Sequence, residues 1–333
     1  MLKKSNRITI ILIALICCVF SPLINNTSIS AHADGISEIA MELDHSYILC
    51  GKNIDRKLPM ASTTKIMTAL LICEDCNLDE VIEVPNEAVG VEGSSIYLKQ
   101  GEKISIRDLL YGLMLVSGND AACALAIHHS GSVVKFVEKM NLRAKEIGAV
   151  NTNFVNPNGL PDDNHYTTAY DLCKIACTAL KNQTFAQVVS TKYYKGQFRC
   201  FTNKNKLLTT LDGANGVKTG YTEKAGRCLV SSAKRGNMQV VCVVLNCYDM
   251  FERSANIIED CFKNFSVETI SCDKIFNYNG KLYSLPLDFS FVIDRRKPLS
   301  YSVCGSDNDE SEAKLNIYSQ NYLIFSENLF TIK

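Results

Sequence analysis

A serine and a lysine three residues apart, Ser62 and Lys65, stand at the head of an apolar run that includes Ile66, Met67, Ala69, Leu70, Leu71 and Ile72. Residues three apart share one helix face, so the ammonium lies one turn from the hydroxyl. A serine hydroxyl is a weak nucleophile until a base sits beside it, and a desolvated lysine can be that base. Alone the pair says little, because a helix start with a polar first turn reads the same way. Two further segments change its weight. Ser117-Gly118-Asn119 follows a second apolar run, Leu109 to Val116, and Lys218-Thr219-Gly220 lies far downstream.

Ser-x-x-Lys, Ser-x-Asn and Lys-Thr-Gly, in that order, are the three signatures of the penicillin-recognising serine acyltransferases. The chemistry assigns each residue a part. Ser62 is the expected nucleophile, and its own N–H, at a helix start, is one donor to an oxyanion. The second donor is the N–H of Tyr221, just after Gly220. Lys65 takes the serine proton, for which burial and the neighbouring Lys218 must hold it partly neutral. Ser117 relays a proton towards the leaving amine, and the Asn119 carboxamide fixes Lys65 and can bind a substrate amide. Lys218 and Thr219 meet a substrate carboxylate, while Gly220 lets an extended peptide approach the strand edge.

The elements that must position these groups can be read from periodicity. Ser37 to Leu49 predicts a strand entering a turn at Gly51-Lys52-Asn53, with a helix from Ser62 and a short strand over Val81 to Val84. Helices are expected over Ile104 to Val116, Asp120 to His129, Val133 to Ile147 and Thr168 to Leu180. In the third of these the periodic apolar positions include Val134, Phe136, Val137, Met140 and Leu142. Asn151 to Asn164 is a loop by its Asn-Pro-Asn-Gly and Pro-Asp-Asp-Asn turns. Strands follow over Gly213 to Gly220, Cys228 to Lys234 and Gln239 to Asn246, the last two joined by the hairpin signature Arg235-Gly236-Asn237. A helix over Phe251 to Phe265 closes the domain. The expected fold is α+β: an antiparallel sheet covered by a helical cluster, with a small all-β module from about Ser266.

The N-terminus reads as an export signal. Lys3, Lys4 and Arg7 precede an apolar run from Ile8 to Phe20, and Ala31-His32-Ala33 is a small-x-small site with cleavage expected after Ala33. The expected organisation is therefore a signal peptide over 1–33, a catalytic domain over 34–265 and a β-rich domain over 266–333. The full chain carries 35 basic and 35 acidic residues; losing three basic residues leaves a slightly acidic protein with no pull towards nucleic acid. Of 15 cysteines, Cys17 and Cys18 leave with the signal, and the odd remainder of 13 cannot all pair within one chain. Most sit in apolar segments and read as reduced, structural thiols. Cys73-x-x-Cys76 lacks a partner motif and reads as helix-end packing, as does His128-His129; His165 reads as structural.

The resemblance extends past the three motifs. Pro59 to Ala69, Asn156-Pro157-Asn158-Gly159-Leu160 with His165 to Asp171, Gly216 to Thr222 and Ala225 to Val230 together resemble the low-molecular-mass penicillin-binding proteins, serine-type D-alanyl-D-alanine carboxypeptidases, over about residues 36 to 265. This implies removal of the terminal D-alanine from peptidoglycan stem pentapeptides through an acyl-Ser62 intermediate, with β-lactams as acylating inhibitors. It implies no metal or organic cofactor and an extracytoplasmic setting, with peripheral membrane association allowed. The arginine that such enzymes place near the substrate carboxylate has Arg253 as its nearest counterpart here, about one turn late. Family members often end in an amphipathic membrane helix, whereas Leu315 to Lys333 alternates like strands. Two other readings use the same residues. A class A β-lactamase would add a Glu-x-x-Leu-Asn loop, absent between Asn119 and Lys218; a non-catalytic peptidoglycan-binding protein has no need of Ser62, Lys65 and Lys218 together.

Overall fold

The computed structural model describes residues 35–306 and 309–332. The signal peptide expected over 1–33, with its cleavage site, lies outside the described residues.

Strands β1 (Ser37–Glu42) and β2 (Tyr47–Lys52) open the chain as a hairpin. The sequence predicts one strand through Leu49, but the chain reverses earlier. Ser46 takes φ 52° and the Glu42 carboxylate accepts the His45 N–H at 2.8 Å, which together build the turn. A single 3-10 turn, Ala61–Thr64, then feeds α1 (Lys65–Asp75). The ribbon of β3 (Val81–Glu83) and β4 (Lys103–Ser105) leads into α2 (Ile106–Leu115), α3 (Asn119–Ser130) and α4 (Val133–Ile147).

The helix ends follow local chemistry. Ser105 and Ser132 accept N–H bonds from Asp108 and Lys135, and Gly131 and Gly148 close α3 and α4 in the left-handed conformation. In α4 the buried residues are Phe136, Met140 and Ala144; Val134 and Leu142, expected on the same face, are exposed because the helix packs on a narrower stripe.

After the loop come α5 (Ala169–Lys181), capped by Thr168, and α6 (Gln183–Ser190), capped by Asn182. The sequence pattern does not mark α6, which is short and separated from α5 by that one residue. The ribbon of β5 (Tyr193–Lys195) and β6 (Cys200–Thr202), also unmarked, and the one-turn α7 (Leu207–Thr210) precede β7 (Ala214–Thr222), β8 (Gly226–Arg235), β9 (Met238–Leu245) and α8 (Met250–Asn264).

The main sheet has the order β2-β1-β9-β8-β7 and is antiparallel throughout. Strand alternation splits its residues between two cores. Ile39, Met41, Val241, Val243 and Leu245 pack with the helical cluster, whereas Ala40, Leu229, Val240, Cys242 and Val244 pack with α8. Helix α1 is buried almost all round, as its unbroken apolar run requires. Strand β7, which carries Lys218-Thr219-Gly220, is a sheet edge.

Beyond Asn264 the described residues hold strands and no helix: β10 (Phe265–Ile270), β11 (Phe276–Tyr278), β12 (Lys281–Ser284), β13 (Phe289–Asp294), β14 (Leu299–Ser306), β15 (Asp309–Ser319) and β16 (Tyr322–Thr331). Strand β10 pairs with β13, and Phe265, Val267 and Val292 join the core under α8. The sheet β11-β12-β16-β15-β14 encloses its own core, with Tyr283, Leu315, Ile317 and Leu329 at its centre. No helix among the described residues is long and apolar enough to cross a membrane.

The loop between α4 and α5 passes against the 3-10 turn. Gly159 has φ 91°, and a Cβ there would lie 2.0 Å from the Ala61 carbonyl oxygen. Both conditions demand glycine. Gly159→Ala is expected to lower unfolding stability by about 2–4 kcal/mol. Denaturant titration measures this, and an unchanged midpoint would show that the loop does not brace the turn.

Candidate active site

Ser62 sits half-buried in the 3-10 turn, one residue after Ala61, which holds φ 48°. That left-handed residue swings the chain so that the hydroxyl faces the cleft while Thr63 and Thr64 point inward. Thr63 Oγ1 donates to the Met60 carbonyl at 2.6 Å, and Thr64 Oγ1 donates to Ala61 O at 2.8 Å. His165 braces the same turn. Its Nδ1 accepts the Val155 N–H at 3.0 Å, which leaves the proton on Nε2, 2.7 Å from Thr64 Oγ1. Burial pushes the His165 pKa down to about 4, so the ring is neutral and structural, as expected.

Lys65 is fully buried, and its Nζ lies 3.1 Å from Ser62 Oγ. Its other contacts are the Asn119 Oδ1 at 2.6 Å and the Asn158 carbonyl. Desolvation first, and then the neighbouring Lys218 charge, hold its pKa well below the ordinary lysine value. Lys218 is 1% exposed and donates to the Thr219 carbonyl at 2.9 Å. Burial, with the Lys204 ammonium second, brings its pKa down to about 7.

Ser117 lies just past the end of α2, two residues before Asn119, whose carboxamide meets Lys65. It is buried, has φ 71°, and its Oγ has no hydrogen-bond partner within the protein. A strained backbone and an orphaned hydroxyl together mark a group held ready for something the fold does not supply. Asn119 is fixed on both sides: Oδ1 meets Lys65, and Nδ2 donates to the Glu92 carbonyl at 2.5 Å.

Strand β7 forms the opposite wall. A Cβ on Gly220 would come within 3.1 Å of the Ser62 and Thr63 nitrogens, so the glycine permits close approach to the nucleophile turn. The Thr219 carbonyl is turned to the Lys218 ammonium on the open side of β7. Strand alternation therefore puts the N–H of Tyr221, two residues on, on that side as well. The Tyr221 phenol itself is 63% exposed.

Arg253 is placed elsewhere, which corrects the expectation that it faces the substrate. It lies on α8, where its Nε and an Nη donate to the Glu38 carboxylate at 2.7 and 2.5 Å. Glu38 lies in register with Val244, Leu229 and Thr219 in turn, so it is three strands, about 14 Å, from Thr219. The cation near the lysine pair is instead Lys204, whose Nζ is 3.4 Å from Ser94 Oγ. Sequence reading passes over Lys204 because it sits in an alternating Asn203-Lys204-Asn205-Lys206 stretch with no motif spacing. It also passes over Asn158, which acts through its carbonyl, and Asp120, whose buried carboxylate accepts from Ile96 N, Leu98 N and Ser95 Oγ to hold the 95–98 segment on α3. Cys73 and Cys76 are packed protonated thiols, raised by burial to about 12 and about 11, and no cluster of metal-ligating groups occurs among the described residues. His129 ends α3 against Asp75 and the Phe136 ring.

Comparison with known proteins agrees with this geometry. Residues 25–249 match the peptidase S11 family, D-alanyl-D-alanine carboxypeptidase. The chain is 39% identical over 243 residues to the D-alanyl-D-alanine carboxypeptidase DacF of Bacillus subtilis, an alignment covering 69% of this chain and 62% of that protein. Among solved structures, the D-alanyl-D-alanine carboxypeptidase DacD of Francisella tularensis superposes with a TM-score of 0.75 at 26% identity, over 94% of this chain and 96% of that one. A mutant of the Streptomyces K15 DD-transpeptidase gives a TM-score of 0.64 at 36% identity, over 68% of this chain and 96% of that one. With the matched region holding every residue of the Ser62 cluster, the chain belongs to the D-alanyl-D-alanine carboxypeptidase family of serine peptidases.

Proposed function

We propose that the protein removes the C-terminal D-alanine from peptidoglycan stem pentapeptides by way of an acyl-Ser62 enzyme, and that β-lactams acylate the same serine. The observation that carries this reading is a pair of buried lysines beside one serine, both driven towards the neutral form.

A neutral Lys65 nitrogen 3.1 Å from Ser62 Oγ accepts the hydroxyl proton as the oxygen attacks the scissile carbonyl. The N–H groups of Ser62 and Tyr221 receive the oxyanion. Ser117 Oγ, free of protein partners, carries the proton from the lysine side to the leaving D-alanine nitrogen. Water then repeats the sequence on the acyl ester. The peptide lies along the free edge of β7, with its terminal carboxylate at Thr219 and Lys218 and the Lys204 ammonium beside them. No carboxylate among the described residues hydrogen-bonds Ser62 or Lys65, which favours a carboxypeptidase over a β-lactamase that activates its water with a glutamate. In the same reading, residues 34–265 are the catalytic domain and 266–333 an accessory β-rich domain. Residues 1–33 direct export, and the enzyme works outside the membrane or peripherally upon it.

Intact mass after incubation with benzylpenicillin tests the nucleophile. The wild type is expected to carry one penicilloyl group and Ser62→Ala none, with D-alanine release from a pentapeptide falling at least about 10⁴-fold. Consumption of penicillin without an adduct would replace this reading with the β-lactamase one.

The two cations are separated by kinetics. Lys204→Ala is expected to lower kcat/KM for the pentapeptide about tenfold, whereas Arg253→Lys leaves it within about twofold. The reverse ranking would return the carboxylate to Arg253.

Holding Lys218 neutral also has a signature in stability. The unfolded chain binds its proton up to the ordinary value of 10.5, the folded protein only up to about 7. Between those values the unfolded state holds more protons, so stability rises with pH across the window. Relative to Lys218→Met, the wild type is expected to gain on the order of 4 kcal/mol from pH 7 to pH 10.5. Parallel stability curves for the two proteins would mean that Lys218 stays charged in the fold.

A further inference from the structure

The cysteines have no part in the chemistry above, and all 13 beyond residue 34 are free thiols. Several are buried in apolar cores, Cys173 and Cys177 beside one another on α5. One group is different. Cys50 on β2 and Cys242 on β9 both stand in register with Ala40 of β1, from either side, so all three face α8. Cys261 of α8 packs into the same core and is 2% exposed. An irregularity in the β1–β2 register at Ala40/Met41 lets Leu49 fill the core as well and leaves Cys50 exposed at the rim. Cys50 and Cys261 lie close enough that each shifts the other's titration, with the Arg253–Glu38 ion pair close by. One exposed cysteine thus stands beside one buried cysteine on a different element.

We infer that Cys50 and Cys261 are a redox pair that closes to a disulfide when the protein meets a small-molecule disulfide, fastening the edge strand β2 to α8. The Cys261 thiol first, and then the nearby Arg253 charge, favour the Cys50 thiolate and hold its pKa below the ordinary value. The same contact, with burial, keeps Cys261 protonated. Cys50 is therefore the attacking group. Its thiolate attacks one sulfur of the reagent, the reagent S–S bond breaks, and the departing thiolate takes up the proton that Cys50 lost. Cys261 then gives up its proton as its sulfur attacks the Cys50 sulfur, expelling a second reagent thiol. Two protein thiols are oxidised and one reagent disulfide is reduced to two thiols. Cys242 is the rival partner, but its thiol is wholly buried, with burial pushing its pKa far up.

The bond would act on stability rather than on catalysis. Strand β2 pairs only with β1 in the main sheet, and α8 covers the face of that sheet opposite the helical cluster that holds Lys65.

The test treats the purified protein with oxidised glutathione, alkylates the remaining thiols, and maps peptides without reduction. Expected are the loss of two hydrogens, a cross-linked peptide pair bearing Cys50 and Cys261, and a melting temperature raised by on the order of 5–10 °C that dithiothreitol reverses. Benzylpenicillin acylation stays unchanged. Cys261→Ser should arrest the reaction with glutathione retained on Cys50. Cys50→Ser, at an exposed position, should show neither cross-link nor stabilisation, and it keeps the test decisive if the buried variant does not fold. A lasting glutathione adduct on Cys50 in the wild type, a Cys50–Cys242 link, or an unmodified Cys50 would each overturn the inference. Because acylation by penicillin is read separately, failure here leaves the catalytic assignment standing.

Discussion

The burial of two lysine side chains beside one serine is the constraint on which the rest of the site depends. An ammonium taken out of water without a counter-charge costs several kcal/mol, and a second one nearby adds to that. The protein offers Lys65 only neutral acceptors: a hydroxyl, a carboxamide oxygen and a backbone carbonyl. A carboxylate in any of those places would restore the charge and remove the base. Asp120, next in sequence to Asn119, shows how such a group is kept away. Its carboxylate is committed to the N–H groups of Ile96, Leu98 and Ala121 and to the Ser95 hydroxyl. It organises a wall of the site without pairing with the lysine.

Holding that arrangement demands backbone conformations that the chain would not choose locally. Ala61 and Ser117 both have positive φ, and each directly precedes or carries a site hydroxyl. The strain is held by contacts from distant segments. His165 and Gly159 come from the loop after α4, Gly220 from an edge strand, and the Asn158 carbonyl reaches Lys65 itself. The nucleophile turn is thus defined by tertiary packing, and each supporting residue has a reason that can be stated in a distance or a φ.

What the sequence makes legible divides along the same line. Ser62, Lys65, Ser117, Asn119 and Lys218 stand out in the sequence because they fall in three short motifs whose spacing is fixed by local elements. Helix α4 ends where its glycine says it should, and the β8–β9 hairpin turns at Gly236-Asn237. Lys204 and Asn158 were not readable, since one is brought in by a long connection and the other acts through its backbone. The early reversal after Glu42 and the short α6 escaped for a related reason: each is decided by one capping side chain, within a stretch whose apolar content already suits another element. Arg253 shows the converse failure. It stands within a turn of a suggestive position in the chain, but Glu38 on β1 is buried and needs a counter-charge, and the guanidinium goes there.

That ion pair points to how the sheet divides its labour. One face, with α1 to α6, holds the neutral lysines and the hydroxyls, where polar groups remain unpaired for a substrate. The other face, with α8, holds Cys50, Cys242, Cys261 and the Arg253–Glu38 pair, where the charged groups pair with each other. The strand carrying Lys218 and Thr219 belongs to both, since alternate residues point to opposite sides. Lys218 turns into the buried cluster, while Thr219 stays half-buried at the edge. An edge strand is otherwise a liability, because its free N–H and C=O groups invite another chain. In the proposed function that liability becomes the binding mode: Gly220 brings the edge within contact of the Ser62 turn, so an extended chain added to β7 would present its carbonyl to Ser62.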